Sequence, residues 1–406
     1  MKKTKMLIVM ILCLTLLSGT MTAAADGDDL TARISETASG LSAMGGAPGT
    51  MLADRDIFPA GNSLNDWIAH ALSLSGSREY YSQYLDALKE YVEKEYAANG
   101  CLHEIKATEY HRIALTVMAL GGDPTSFGTR PDGTSIDLIA DGTYNFIGRE
   151  LGLQGLNGWI WALITLDASG VEVPMDAKYQ RSDMVNAILA AQEPDGGFGL
   201  DVGRSSIDIT AMALQALSPY YGIKEDVINN ALCWLSLQMN DDCTFSGFDS
   251  GGSESVSQVI MALCALGLDP EAPTVFVHGD HTLLTALESF RQPDGTYAHL
   301  LDDGEGNGLA TCQAIQALLS LRDFHRGTGY VFAQGYNVPD QNEDPIPAKN
   351  DTAEHSAAAD NGPALAADAA VKKDVNIGAI LVIPAAIAVL VPLFILLRRR
   401  SRSSAS

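Results

Sequence analysis

Six short apolar segments recur along this chain at a spacing of about 50 residues, and this repeat limits what the chain can fold into. The segments are DWIAHALSL, YHRIALTVMAL, NGWIWALITL, IDITAMALQAL, VSQVIMALCAL and CQAIQALLSL, and they end at Leu74, Leu120, Leu166, Leu217, Leu266 and Leu321. Each is apolar on nearly all sides, as expected of a helix buried all round. Longer segments between them, such as EYYSQYLDALKEYVEKEY, space apolar residues three and four apart with charges opposite, which indicates amphipathic outer helices.

Alternating inner and outer helices predict an all-α fold, an α/α toroid of about six helical hairpins over residues 26–336. An early helix around Asp29 to Met44 can supply the outer partner that closes the ring. An open solenoid is the alternative, because short helices at this period also stack without closing.

A repeated phrase, QEPDGGFGL at Gln192 and RQPDGTYAHL at Arg291, follows outer helices and leads to the next inner one. Its Asp-Gly pair predicts a tight turn with a positive-φ glycine. A third copy, QMNDDCTF, has Cys243 where the glycine would fall. We interpret the phrase as part of the scaffold, with its Gln amide bonding backbone groups at a helix end.

The two ends of the chain predict export and membrane attachment. Residues 1–25 have lysines, an apolar run and small residues before Asp26, which is typical of a secretory signal peptide. Residues 377–397 are uncharged and apolar, and at 1.5 Å per residue they span about 31 Å, enough for one transmembrane helix. The basic tail at 398–406 predicts a cytoplasmic C-terminus, and 337–376 reads as a disordered extracellular stalk. We therefore expect a single-pass cell-membrane protein with its N-terminal domain outside.

Charge and cysteine content restrict partners and chemistry. Without the signal lysines and tail arginines, 19 basic residues face 50 acidic ones, so the exported part disfavours nucleic acid. Five cysteines remain after signal removal, and they show no C-x-x-C pair and no zinc-like spacing. We expect buried thiols; the odd number leaves at least one outside any intramolecular disulfide.

The repeats resemble the prenyltransferase and squalene-cyclase superfamily. QEPDGGFG is similar to the Gln-x-x-x-Gly-x-aromatic repeat of terpenoid cyclases, and YHRIALTVMALGGDP and SSIDITAMALQALSPYY resemble secreted bacterial toroid proteins. SSIDITAMALQAL is also distantly similar to the α-domain of cobalamin carriers. The resemblance covers about Leu64 to Phe324 and implies the fold more strongly than any chemistry.

The resemblance also indicates which catalytic residues to look for. Where protein prenyltransferases hold zinc with Asp-x-Cys and His, this chain has Asp208-Ile209-Thr210 and, at the His position, Ala310. The Asp-x-Asp-Asp run of the cyclases is reduced to Asp208, and a lone Asp at a helix start favours an N-cap over a catalytic acid. We therefore expect a non-catalytic protein with no bound metal.

Two other constellations carry weaker signals. His103, Glu104, Glu109 and His111 lie close in sequence but lack H-E-x-x-H spacing. The loop DDGEGNG alternates oxygens as a calcium loop does, but Ala314 stands where an EF-hand has its glutamate. No cofactor is expected, with calcium or a corrinoid as the alternatives.

The starts of the inner helices are expected to converge on one mouth of the ring and form a binding cup. Its predicted ligand-binding residues are Trp67, Tyr110, His111, Trp159, Asp208, Glu254, Gln258 and Gln313, with Ser255 beside them. The sequence thus predicts a protein that binds a small apolar or amphipathic ligand, corrinoid-like in one version, or a surface partner. The alternative is a cyclase- or prenyltransferase-like enzyme that uses acids at the same mouth, with Asp208 as its acid.

Overall fold

The computed structural model describes residues 23–46, 49–246 and 251–333. Within these ranges the chain forms twelve α-helices, which are numbered here in chain order, and no β-strand. They are α1 Ala23–Met44, α2 Ser63–Leu74, α3 Tyr81–Asn99, α4 Thr108–Ala119, α5 Leu138–Gly142, α6 Leu156–Ser169, α7 Arg181–Ala190, α8 Ile207–Leu217, α9 Glu225–Gln238, α10 Ser253–Ala265, α11 Leu283–Glu288 and α12 Gly308–Arg326. The all-α prediction is confirmed for this part of the chain.

The even-numbered helices form a closed inner ring. Each contacts the next, from α2 through α4, α6, α8 and α10 to α12, and α12 in turn contacts α2. Each odd-numbered helix packs outside an inner one, and α1 lies against both α12 and α2, where the ring closes. The early helix therefore supplies the missing outer partner, and these contacts contradict the open solenoid.

Burial follows the two kinds of sequence pattern. In inner helix α4 every residue from Tyr110 to Val117 is buried. In outer helix α3 the buried side chains recur on one face, at Tyr84, Leu88, Val92 and Tyr96. A helix surrounded by others needs apolar residues all round, whereas a helix with one solvent face needs only a stripe.

The repeated turn has the same geometry in four places. Backbone bonds join Glu193 N to Gly197 O at 2.9 Å, and three equivalent bonds of 2.8 Å start at Arg130, Asn240 and Gln292. Gly196, Gly295 and Cys243 all have positive φ, and Cys243, at 64°, is the only such non-glycine residue in the described part of the chain. The scaffold interpretation is confirmed, and the copy at Arg130 was missed because its sequence lacks the preceding glutamine.

Gln192 performs the role predicted for the conserved phrase's amide at its own turn. Its Nε2 donates to Gly196 O at 2.9 Å and to Val227 O, within the next outer helix, at 2.8 Å. The amide thus ties the turn to the neighbouring hairpin. The corresponding amide of Gln292 donates instead to Phe290 O at 3.2 Å.

Several sequence predictions fall outside the described residues. These are the signal peptide up to residue 22, the stalk, the transmembrane helix at 377–397 and the basic tail. Helix α1 already includes Ala23, in the predicted cleavage segment. Among the described helices, none has the length and apolarity to cross a membrane. Cys101, Cys233, Cys243, Cys264 and Cys312 are buried free thiols, as expected.

Candidate functional site

A cavity of about 240 Å³ lies where the inner helices begin. All six inner helices contribute to its wall, mostly from their first turns. Representative lining residues, one from each inner helix in ring order, are Trp67, His111, Trp161, Asp208, Gln258 and Gln313. The predicted convergence of helix starts therefore exists as a geometric feature.

Five of the eight predicted ligand-binding residues line this cavity: Trp67, His111, Asp208, Gln258 and Gln313. They come from α2, α4, α8, α10 and α12. Their wall is more polar than the predicted apolar cup, because amides, carboxyl groups and an imidazole stand beside the indole. That they bind a ligand stays a prediction.

Tyr110, Trp159 and Glu254 are not in the cavity wall. Tyr110 is fully buried, and its hydroxyl accepts from Leu102 N at 3.0 Å. The indole of Trp159 packs edge-on against Tyr179, with ring centroids 5.3 Å apart. Glu254 bonds His299, as described below. The first two side chains point to other faces of helices that are apolar all round, and the sequence did not distinguish these faces.

Sequence reasoning missed three wall residues. Trp161, two positions after Trp159, faces the cavity, and its ring centroid lies 5.5 Å from that of Trp67. Asn157 lies in the first turn of the same helix, and Arg112 follows His111 on α4. Their signal was their position near an inner-helix start, which the choice of the larger or more familiar neighbour obscured.

A buried ion pair supports the wall between α2 and α4. Nε of Arg112 lies 2.9 Å from Oδ2 of Asp66, and both side chains are nearly or fully buried. Arg112 also pairs with Glu109 at 2.7 Å. The hydroxyl of Tyr84 donates to Asp66 at 2.7 Å, so the buried carboxylate has several partners. The only cationic group of the wall is thus already paired by two acids of the protein.

An amide row crosses the ring between α8, α10 and α12. Gln215 Nε2 donates to Gln258 Oε1 at 2.8 Å, and Gln258 Nε2 donates to Gln313 Oε1 at 2.9 Å. These bonds hold the Gln258 and Gln313 side chains in one orientation at the cavity wall. A fixed amide can both donate to and accept from a ligand.

Asp208 is not the N-cap of α8. The cap position is Ser206, and Asp208 lies in the first turn. Its Oδ1 accepts a 2.6 Å bond from the hydroxyl of Ser255, in the next inner helix. The prediction of a capping role is therefore wrong, because the helix begins one turn position earlier and the carboxylate faces its neighbour across the ring.

A carboxylate–imidazole pair lies at the start of α10. Nδ1 of His299 is 2.9 Å from Oε2 of Glu254. This hydrogen bond raises the pKa of His299 above its ordinary value. Sequence reasoning did not select His299, which follows the repeated turn at Arg291 by a few residues.

The opposite end of the ring is occupied by the segment after α12. Tyr330, Val331 and Phe332 are buried there. Phe332 packs edge-on against Trp161 at 5.6 Å and lines a second cavity of about 550 Å³. Its ring therefore lies between that cavity and the indoles of the first one.

The metal candidates do not assemble within the described residues, where no group of three His, Cys, Asp or Glu side chains could hold an ion. Nδ1 of His103 accepts backbone bonds from Ile105 and Lys106, both at 3.0 Å, which is a local turn. His111 faces the cavity instead. Calcium and a corrinoid stay predictions.

The fold and the cavity define a class of protein: a closed ring of paired α-helices with a small polar cavity among the starts of its inner helices. No family model matches the chain, and no curated protein matches it. Among solved structures, Candida albicans protein geranylgeranyltransferase-I complexed with GGPP is similar at 11% sequence identity and a TM-score of 0.43. That match covers 71% of this chain and 91% of that chain. No residue role or ligand of this chain follows from it.

Proposed function

We propose that this chain is a non-catalytic binding protein that captures a small ligand in the cavity at the inner-helix starts. The observation that carries the proposal is the convergence of all six inner helices on one cavity of about 240 Å³. Concave sites with aromatic walls and a few oriented polar groups are the usual form of a small-molecule site. The two indoles and the hydrogen-bonded amides have this arrangement.

The proposal includes the place where binding occurs. The N-terminal leader, the apolar run at 377–397 and the arginines after it favour a single-pass membrane protein that displays the ring outside the cell. Protease treatment of intact cells tests this part. Digestion of the ring domain in intact cells supports extracellular display, whereas digestion only after lysis contradicts it.

Native mass spectrometry of the full-length chain, incubated with extract from its habitat, tests ligand capture. We expect a small-molecule adduct of one ligand per chain that is lost on Trp161→Ala. The matched control is Trp159→Ala on the same helix, whose indole packs on Tyr179 and not in the cavity. A mass without adduct in every extract, or an adduct that both variants retain, contradicts the proposal.

The same variants separate binding from the enzymatic alternative. If acids at the mouth perform catalysis, Asp208→Asn abolishes consumption of a captured compound while the compound still binds. A binding protein releases the captured compound chemically unchanged from wild type and from Asp208→Asn alike. Chemical change of the compound by wild type alone would favour the enzyme.

A further inference from the structure

His111 presents an unusual acceptor in the cavity wall. Its side chain is 1% exposed, and Nε2 lies 2.6 Å from the carbonyl oxygen of Gly142. Since a carbonyl only accepts, Nε2 must carry the proton. Burial lowers the pKa of His111 to about 4, so the ring is neutral near neutral pH and Nδ1 is an acceptor.

Nδ1 of His111 has no hydrogen-bond partner among the described residues, and neither has Oδ1 of Asn157. Both atoms are buried, and both residues line the cavity. A buried acceptor without a partner costs free energy, and native proteins seldom leave one unless something else donates to it. The wall therefore lacks donors from two sides, at α4 and at α6.

The charges of the wall are already compensated within the protein. Arg112 lies between Asp66 and Glu109, and Asp208 accepts from Ser255. Acids in the first turns of four inner helices also oppose the positive ends of the helix dipoles, which meet at this mouth. A ligand does not need to bring a charge of either sign.

The remaining lining matches a compact ring with hydroxyl groups. Trp67 and Trp161 offer flat apolar surfaces inclined at 50° to each other. The amides of Gln258 and Gln313 suit hydroxyls, which both donate and accept. At about 240 Å³ the cavity is smaller than the roughly 300–1,000 Å³ of sites for drug-sized ligands, so one small ring fits its scale.

We infer that the cavity binds a single neutral polyhydroxylated ring, a monosaccharide or a cyclitol. Its hydroxyls donate to Nδ1 of His111 and to Oδ1 of Asn157, and its C–H face lies on the indoles. This inference rests on the proposed function and names the class of ligand for the same cavity.

Isothermal titration of the full-length chain tests the inference, with D-glucose, D-galactose, D-mannose and myo-inositol as neutral probes. Choline and pyrophosphate serve as cationic and anionic comparators. We expect at least one neutral probe to bind, with one molecule per chain, and neither charged comparator to compete with it. His111→Phe should weaken that binding by about tenfold or more, the loss of one buried hydrogen bond, whereas Trp159→Ala should not change it.

A second measurement does not depend on the variant's folding. In wild type, the ¹⁵N resonance of His111 Nδ1 should move when the neutral probe saturates the site, because a new donor reaches this atom. An unchanged Nδ1 resonance on saturation would show that water or nothing donates there, and would overturn the inference.

The outcomes for the two proposals are distinguishable. Binding of choline or pyrophosphate in place of the neutral probes overturns the polyol inference and leaves ligand capture intact. Binding of no probe, while extract still yields an adduct that Trp161→Ala removes, has the same meaning. Binding of no probe together with no adduct contradicts both.

Discussion

The phenyl ring of Phe332 stacks on the imidazole of His70, with ring centroids 5.6 Å apart and planes inclined at 30°. His70 lies on the first inner helix, and Phe332 lies beyond the last one. The contact therefore joins the two ends of the repeat inside the ring. Gln316 Nε2 lies 3.2 Å from Nδ1 of the same imidazole and completes this arrangement.

Replacing Phe332 by Ala should remove about 3–5 kcal/mol of unfolding free energy, because a buried aromatic ring leaves a cavity. It should also join the two cavities, since the ring lies between them. Urea unfolding and a crystal structure of the variant measure these effects. The control is Leu301→Ala at an exposed position, expected within about 0.5 kcal/mol of wild type. Equal stability of the two variants would show that the segment does not occupy the ring in solution.

Breaking the buried pair of Arg112 and Asp66 should be costly. Arg112→Met leaves Asp66 buried without its cation, and we expect a loss of about 3–5 kcal/mol in unfolding free energy. Arg55→Met is the matched control, because Arg55 pairs with Glu90 at a similar 2.7 Å but both side chains are more than half exposed. That change should cost about 1 kcal/mol or less. Similar losses in urea titrations of both variants would contradict this account.

Burial of His111 should make the fold sensitive to mild acid. Its pKa is lowered to about 4 in the folded state, so below its ordinary value of 6.5 the unfolded chain binds the proton more readily. The stabilisation is complete above about pH 6.5 and is lost as the pH falls toward 4. His111→Phe should shrink the difference in unfolding free energy between pH 7 and pH 5 by about 2 kcal/mol.

Chemical denaturation at the two pH values measures that difference. The exposed His281 provides the control, and His281→Gln should leave it unchanged. If His111→Phe has the same pH dependence as wild type, His111 is protonated in the folded protein and cannot be the neutral acceptor described above.

Cys243 should prefer glycine for backbone reasons. It has φ of 64°, where its relatives in the turn have glycine, and a side chain in that region costs about 1–2 kcal/mol. Both Cys243→Gly and Cys243→Ala remove the buried thiol, but only glycine relieves the backbone. We therefore expect the Gly variant to be the more stable of the two by about 1 kcal/mol in thermal unfolding. The reverse order would show that the turn is unstrained.

The architecture could be predicted from sequence to a large extent. Apolar segments at a regular period, amphipathic segments between them and a recurring Asp-Gly turn each follow from local chemistry. Even the degenerate turn was identifiable, because Cys243 stands in the glycine position. The fourth turn, at Arg130, escaped because its flanking glutamine is absent.

The candidate site could be predicted only to the level of the helix starts. Trp159 and Trp161 are two positions apart on one helix, and only the second lines the cavity. The same is true of Tyr110 and His111, which are adjacent. A helix that is apolar on every side carries no periodic signal for the direction of the ring centre, so neighbouring aromatic residues could not be ranked.

The sequence by itself determined the helical class, the number of repeats and the turns between them, because these depend on residues close together along the chain. Only the tertiary structure decided which faces point inward, that Arg112 and Asp66 meet in the wall, and that Phe332 enters the ring from its far end. Those relationships join residues about 50 to 260 positions apart. Their energies come from packing and burial, which exist only once the ring has closed.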